Sequence, residues 1–199
     1  MYTADYAKEA QARLYYFFMM ADGDVSSAKR ERFDQICEEM GIDDYSRDQI
    51  IWRCWKPYDK QKTSHWEHIR EKILQTVRKG EGGFLSSGDL FKRNDVRISV
   101  IWTLINLGYA DGEYSKAERR IVAMLTDRWG LAQSVTADLT DTAEALAALS
   151  RQKEWVKTTS KPYDVIKDTV EELDRNIQMM FDNIKALISE AEIAETEGR

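Results

Sequence analysis

Carboxylates flank a glycine at two places in this chain, in ADGDVS (residues 21–26) and in ADGEYSKAE (residues 110–118). Asp22 and Asp24 bracket Gly23, while Asp111 and Glu113 bracket Gly112, with Glu118 three residues past Ser115. Carboxylates drawn together repel and raise one another's pKa unless a cation neutralises them. A divalent ion with oxygen ligands is the chemistry such a group would serve, with Ca²⁺, Mg²⁺, Mn²⁺ and Zn²⁺ as candidates. The candidate metal ligands are therefore Asp22, Asp24, Asp111, Glu113 and Glu118.

Neither loop is an EF-hand. That loop needs oxygen ligands at its first, third and fifth positions, glycine at the sixth and glutamate at the twelfth. With Asp111 and Gly112 at the fifth and sixth, Glu118 falls at the twelfth, but the first and third are Leu107 and Tyr109. In the other copy those places hold Phe18 and Met20, and Lys29 stands where the glutamate should be. A plain turn accounts for much of the pattern. Gly23 and Gly112 supply the left-handed residue that ends a helix. Ser26 and Ser115 cap the next helix, and Ser115 with Glu118 forms a capping box. A turn does not need an acid on both sides of its glycine, so the metal reading and the turn reading both stand.

Other reactive side chains are sparse. His65 and His68, with Glu71, fall on one helical stretch but lack the spacing of helical zinc proteases, and they read as an exposed polar face. KGEGGF (residues 79–84) lacks the ending of a phosphate loop and reads as a connection. Cys37 and Cys54 are too few for a disulfide framework or a thiolate zinc site and read as buried, reduced thiols. No nucleophile–base arrangement stands out, so a non-enzymatic protein is expected, with a metal-dependent enzyme ranked last.

The elements that must position these residues read as helices throughout. Apolar residues recur at helical spacing and no alternating strand pattern stands out. Expected helices cover about 3–21, 27–40, 46–56, 64–80, 91–110 and 116–129, with the tryptophans of IIWRCW (residues 50–55) filling core together with Trp102 and Trp129, or else forming an exposed aromatic groove for a partner helix. A shift of 89 residues lays Ala21–Ser26 over Ala110–Ser115, and apolar positions continue to match as far as Ile42 over Leu131. We read two pseudo-repeated helical hairpins around one core, over residues 1–131. Residues 132–199 differ. Ile166, Val170, Leu173, Ile177, Met180, Ile184, Leu187, Ala191 and Ala194 step by fours and threes, as in a coiled-coil seam. A looser seam runs through Val135, Leu139, Thr142, Leu146, Leu149, Lys153 and Val156. The expectation is a C-terminal antiparallel helical hairpin whose second arm is roughly 50 Å long. Such an arm must wrap the body, project from it, or pair with another chain.

Composition narrows the class. Hydrophobic residues make up 43% of the 199, with six Trp and nine Tyr, enough for a core. No apolar run is long enough to span a bilayer, and MYTADYAKEAQARLYYFFMM is not a secretory leader, so a cytoplasmic location is expected. The net charge is −6, and all of it falls in residues 132–199, which carry 14 acids and 8 bases. A neutral body with an acidic tail gives no footprint for nucleic acid.

The doubled ADGDVS and ADGEYSKAE, each opening a helix that closes on MGI or WGL, resemble the TerB-like family, which includes tellurite-resistance TerB and the N-terminal domain of DjlA-type co-chaperones. The resemblance covers about residues 5–131. It implies an all-helical bundle of about seven helices, no established enzymatic activity, an acidic patch with proposed metal affinity, and a place in bacterial stress-response or membrane-associated complexes. The family's glutamate seven residues after the Asp maps onto Glu118, but in the first copy that place is Lys29. A lysine there can neutralise part of the cluster without a metal. Two partner readings follow: a protein-interaction module whose C-terminal hairpin holds a partner protein, or a purely structural protein that self-associates through that hairpin.

Overall fold

The computed structural model describes residues 2–23, 25–55, 63–82 and 91–197, and among these the chain is helical without a strand. Eight α-helices follow in order: α1 (Tyr2–Met19), α2 (Ser27–Glu39), α3 (Asp44–Cys54), α4 (His65–Gly82), α5 (Asn94–Gly108), α6 (Lys116–Trp129), α7 (Gln133–Lys157) and α8 (Tyr163–Glu197). An all-α bundle with a C-terminal helical hairpin is therefore the fold. Most of the expected 80–89 connection lies outside the described residues, and α4 runs two residues past Gly80.

Two helices form the centre. In α1 the run Leu14–Met19 is buried throughout, and in α5 Val100, Ile101, Leu104, Ile105 and Leu107 are fully buried. A helix that is apolar most of the way round can only be satisfied by neighbours on several sides. Accordingly α2, α3 and α4 pack on α1, while α6, α7 and α8 pack on α5, and the two central helices touch. Each central helix runs directly into one of the Asp-Gly loops, so packing their apolar surfaces determines where the loops go.

The capping chemistry is local. Asp43, rather than a serine, caps α3 by accepting from the Ser46 N–H at 2.8 Å. Ser64 and Glu67 bond reciprocally at the start of α4. The aromatic segment of α3 departs from expectation. Ile50 and Cys54 are buried, but Trp52 and Trp55 are 74% and 71% exposed. A helix held to the body by one face presents its remaining positions to solvent, whatever their side chains.

The C-terminal hairpin has two parts. At its base Leu139 and Ala143 of α7 and Ile184 of α8 belong to the main core, with Leu187, Ile188 and Ala191 packed against it. At its far end Val156, Ile166, Val170 and Leu173 form a small separate core with Leu149. Of the looser seam, Ala143 rather than Thr142 is buried, and Lys153 pairs with Asp174 instead of entering the interface. The expected arm, 35 residues and about 52 Å long, thus both lies on the body and reaches past its core.

Both thiols are buried and free. Burial pushes Cys37 up to about 12 and Cys54 up to about 11. Below an ordinary thiol pKa of about 9 neither state ionises and neither thiol makes stability depend on pH. Above it the unfolded chain loses the proton and the folded chain does not, so stability falls by about 1.4 kcal/mol per pH unit per thiol. Urea unfolding between pH 8.5 and 10 should show this decline, and Cys37→Ala/Cys54→Ala should flatten it. An unchanged slope in the double variant would contradict the assignment.

Candidate functional site: a crossed pair of Asp-Gly loops

Each loop is built in the same way. The central helix ends in a 3-10 turn, Met20–Asp22 or Tyr109–Asp111. A left-handed glycine follows, Gly23 at φ 93° and Gly112 at φ 89°, conformations that side chains with a Cβ rarely adopt. The glycine N–H closes the turn on Met20 O at 3.1 Å or Tyr109 O at 2.9 Å. An extended serine then caps the next helix: Ser26 accepts from Lys29 N–H and Ser115 from Glu118 N–H, both at 3.2 Å. The capping box at Ser115 is present in full, with Ser115 N–H donating to Glu118 Oε2 at 2.9 Å.

The two loops are crossed. Ser26 Oγ donates to Asp111 Oδ2 of the other loop at 2.9 Å, and Ser115 Oγ donates to Asp22 Oδ1 at 2.7 Å. Each serine hydroxyl therefore accepts from its own helix and donates to the opposite aspartate. This explains two acids that a turn does not require: Asp22 and Asp111 are acceptors that tie the loops together.

Lys29 lies at the middle. Its ammonium is 2.8 Å from Glu118 Oε1, 3.3 Å from Asp111 Oδ2 and 3.7 Å from Asp22 Oδ2. Lys29 is 3% exposed and Glu118 is 0% exposed. Burial alone would lower the Lys29 pKa, but the hydrogen bond and charge of Glu118, followed by Asp111, hold it above its ordinary value. Burial raises Glu118, and Lys29 and the Ser115 N–H only partly offset this. We take the pair as ionised, because the ammonium faces three carboxylates and Glu118 also accepts from a backbone N–H.

Of the five expected ligands, Asp22, Asp111 and Glu118 converge. Glu113 is exposed, and only its backbone takes part, donating to Asp111 Oδ1 at 3.3 Å. Asp24 lies outside the described residues. Among the described residues no group of three or more His, Cys, Asp or Glu is disposed to hold a metal ion. The donor set does not fit a divalent ion, because an ammonium already stands among the three carboxylates.

The site has neighbours that the sequence reading misplaced or missed. His65 is half-buried rather than on an exposed polar face, with Nε2 2.6 Å from the Met20 carbonyl of the first loop. His68 is also half-buried, and burial lowers its pKa. Nothing in the local pattern HWEH marks His65 as a loop contact, since its partner is 45 residues away. Beneath the second loop Tyr114 is buried against Gly108, where an added Cβ would come within 2.6 Å of the ring. Arg119 stacks over that ring at 4.6 Å.

The chain is an all-helical module whose two central helices are joined at their ends by paired Asp-Gly loops. Residues 8–141 match the family model described as tellurite resistance protein TerB. This is more than half of the chain, which belongs to the TerB family. The match continues past Leu131 into α7, the stretch that includes the core residue Leu139. No curated protein and no solved structure matches the chain. No helix among the described residues is long and apolar enough to cross a membrane.

Proposed function

We propose that this TerB-family chain is a non-enzymatic protein-interaction module in a bacterial stress-response or membrane-associated complex, with the far end of the α7–α8 hairpin as its contact. One observation carries the reading. Trp155 in the last turn of α7 and Tyr163 at the start of α8 are 70% and 64% exposed, and Val165 beside them is exposed too. Exposed Trp and Tyr on a rigid element are the residues that most often anchor a protein interface. Self-association through the heptad seam is disfavoured, because Ile166, Val170, Leu173 and Ile184 are already buried within one chain. Two aromatic rings of roughly 150–250 Å² each fall short of the roughly 800 Å² per partner of a standard interface. They suit a partner that supplies a pocket.

A photo-crosslinking residue at position 155, compared in cells with one at the exposed Glu144 of the same helix, tests this. The expected result is a discrete adduct with another protein at 155 only, lost on Tyr163→Asp. An adduct of two copies of this chain would favour the self-association reading. No adduct at 155, in cells that make the folded protein, would remove the hairpin end as the contact.

A further inference from the structure

We infer that Lys29 is the resident cation of the crossed loops, so that in this chain their junction is held by a covalently attached ammonium and is independent of divalent metal. The reasoning begins with equivalence. The 89-residue shift that pairs Asp22 with Asp111 and Ser26 with Ser115 also pairs Lys29 with Glu118. Both stand three residues past a capping serine whose Oγ accepts their N–H. Both are buried, and their charged ends meet at 2.8 Å. The place that holds an acid in one half thus holds a base in the other.

The chemistry of the group matches an ammonium. Lysine has three N–H donors and no acceptor, and three carboxylates surround it. The separations of 2.8 to 3.7 Å are those of ion pairs, whereas calcium–oxygen distances are about 2.3–2.6 Å. A divalent ion entering the same space would have to displace a side chain that is 96% buried. Two negative charges remain after Lys29 is counted. They fall on Asp22 and Asp111, whose side chains are 30% and 25% exposed, where water screens them, and each accepts a serine hydroxyl. A glutamate in place of Lys29 would reverse the balance. Four carboxylates and two serine hydroxyls would then share one small volume, and an oxygen set of that size is what calcium takes.

The test is thermal unfolding and calorimetric titration of the full chain after chelator treatment, with Ca²⁺, Mg²⁺, Mn²⁺ or Zn²⁺ added separately. For the wild type the expected result is no saturable heat and no movement of the midpoint. A saturable shift that Asp111→Asn abolishes would overturn the inference. For Lys29→Glu the expected result is one site for at least one of the ions. At 100 times the dissociation constant its midpoint should rise by about 5–10 °C, and the added Asp111→Asn should remove the rise. If Lys29→Glu folds only when an ion is present, that is the same result in stronger form. If it folds and binds none of the four, or fails to fold in all of them, positions 29 and 118 are not interchangeable around a cation and the inference falls.

Discussion

Lys29→Met is expected to destabilise the protein by about 3–5 kcal/mol, the range for removing one partner of a buried ion pair. For a chain of this length that is a fall of roughly 10 °C in the unfolding midpoint. The loss is large because the deletion leaves Glu118, with no exposed surface, facing two more carboxylates. The pH dependence follows from the direction of the Glu118 shift. Burial already raises its pKa, and Lys29 is the main opposing influence, so removing Lys29 raises it further. A carboxyl whose folded pKa exceeds its unfolded pKa costs stability above the folded value, and the cost disappears as pH falls below the unfolded one. The deficit of Lys29→Met should therefore be largest near pH 8 and shrink toward about pH 5. Lys29→Met/Glu118→Gln should recover much of the loss, since glutamine keeps the capping box without the stranded charge. A single variant within about 0.5 kcal/mol of wild type would mean that the cluster behaves as an ordinary surface pairing.

Leu139→Ala should cost about 2–5 kcal/mol in global unfolding, as deletions of fully buried leucines do. Leu139 belongs to α7, yet it is completely buried in the main core together with α1 and α5 side chains. Leu173→Ala makes the same chemical change in the small core at the far end of the hairpin, whose other members among the described residues are Val156, Ile166, Val170 and the partly buried Leu149. It should shift the global midpoint by less than half as much and show instead as faster amide exchange around residues 160–175, the signature of local opening. Urea unfolding of the two variants, with hydrogen exchange on the second, distinguishes these outcomes. Little movement of the global midpoint in either variant would make the entire hairpin an independent appendage that begins at residue 132.

Much of the fold was legible because it rests on short-range signals. Gly23 and Gly112 announce left-handed turns, Ser26 and Ser115 announce caps, and the capping box at Ser115 was readable from its spacing and is present. The seam from Ile166 to Ala194 was readable as a heptad; Ile166, Val170 and Leu173 pack on α7 of the same chain, while Ile184, Leu187 and Ala191 join the main core, where α8 also meets α5. Where the reading failed, the cause was long-range. IIWRCW is apolar enough to suggest core, but Ile50 and Cys54 are buried and Ile51 packs against the core at its edge, while Trp52 and Trp55 point outward. Composition gives no means of telling which face of a short helix will be covered. His65 was placed on a polar face because its bond to Met20 joins α4 to a loop 45 residues earlier.

By itself the sequence determined the helical class, the start of α2 and both ends of α6, the doubled loop and the presence of a lysine where its pattern calls for an acid. These follow from residues within one turn of each other, where backbone conformation and capping act. Only the tertiary structure decided that the loops cross. That depends on α1 and α5 packing side by side so that Ser26 meets Asp111 and Ser115 meets Asp22, pairs 85 and 93 residues apart. It also decided what the acids do. Of the five carboxylates that could have gathered a metal, it brings Asp22, Asp111 and Glu118 together, with Lys29 buried among them beside Glu118.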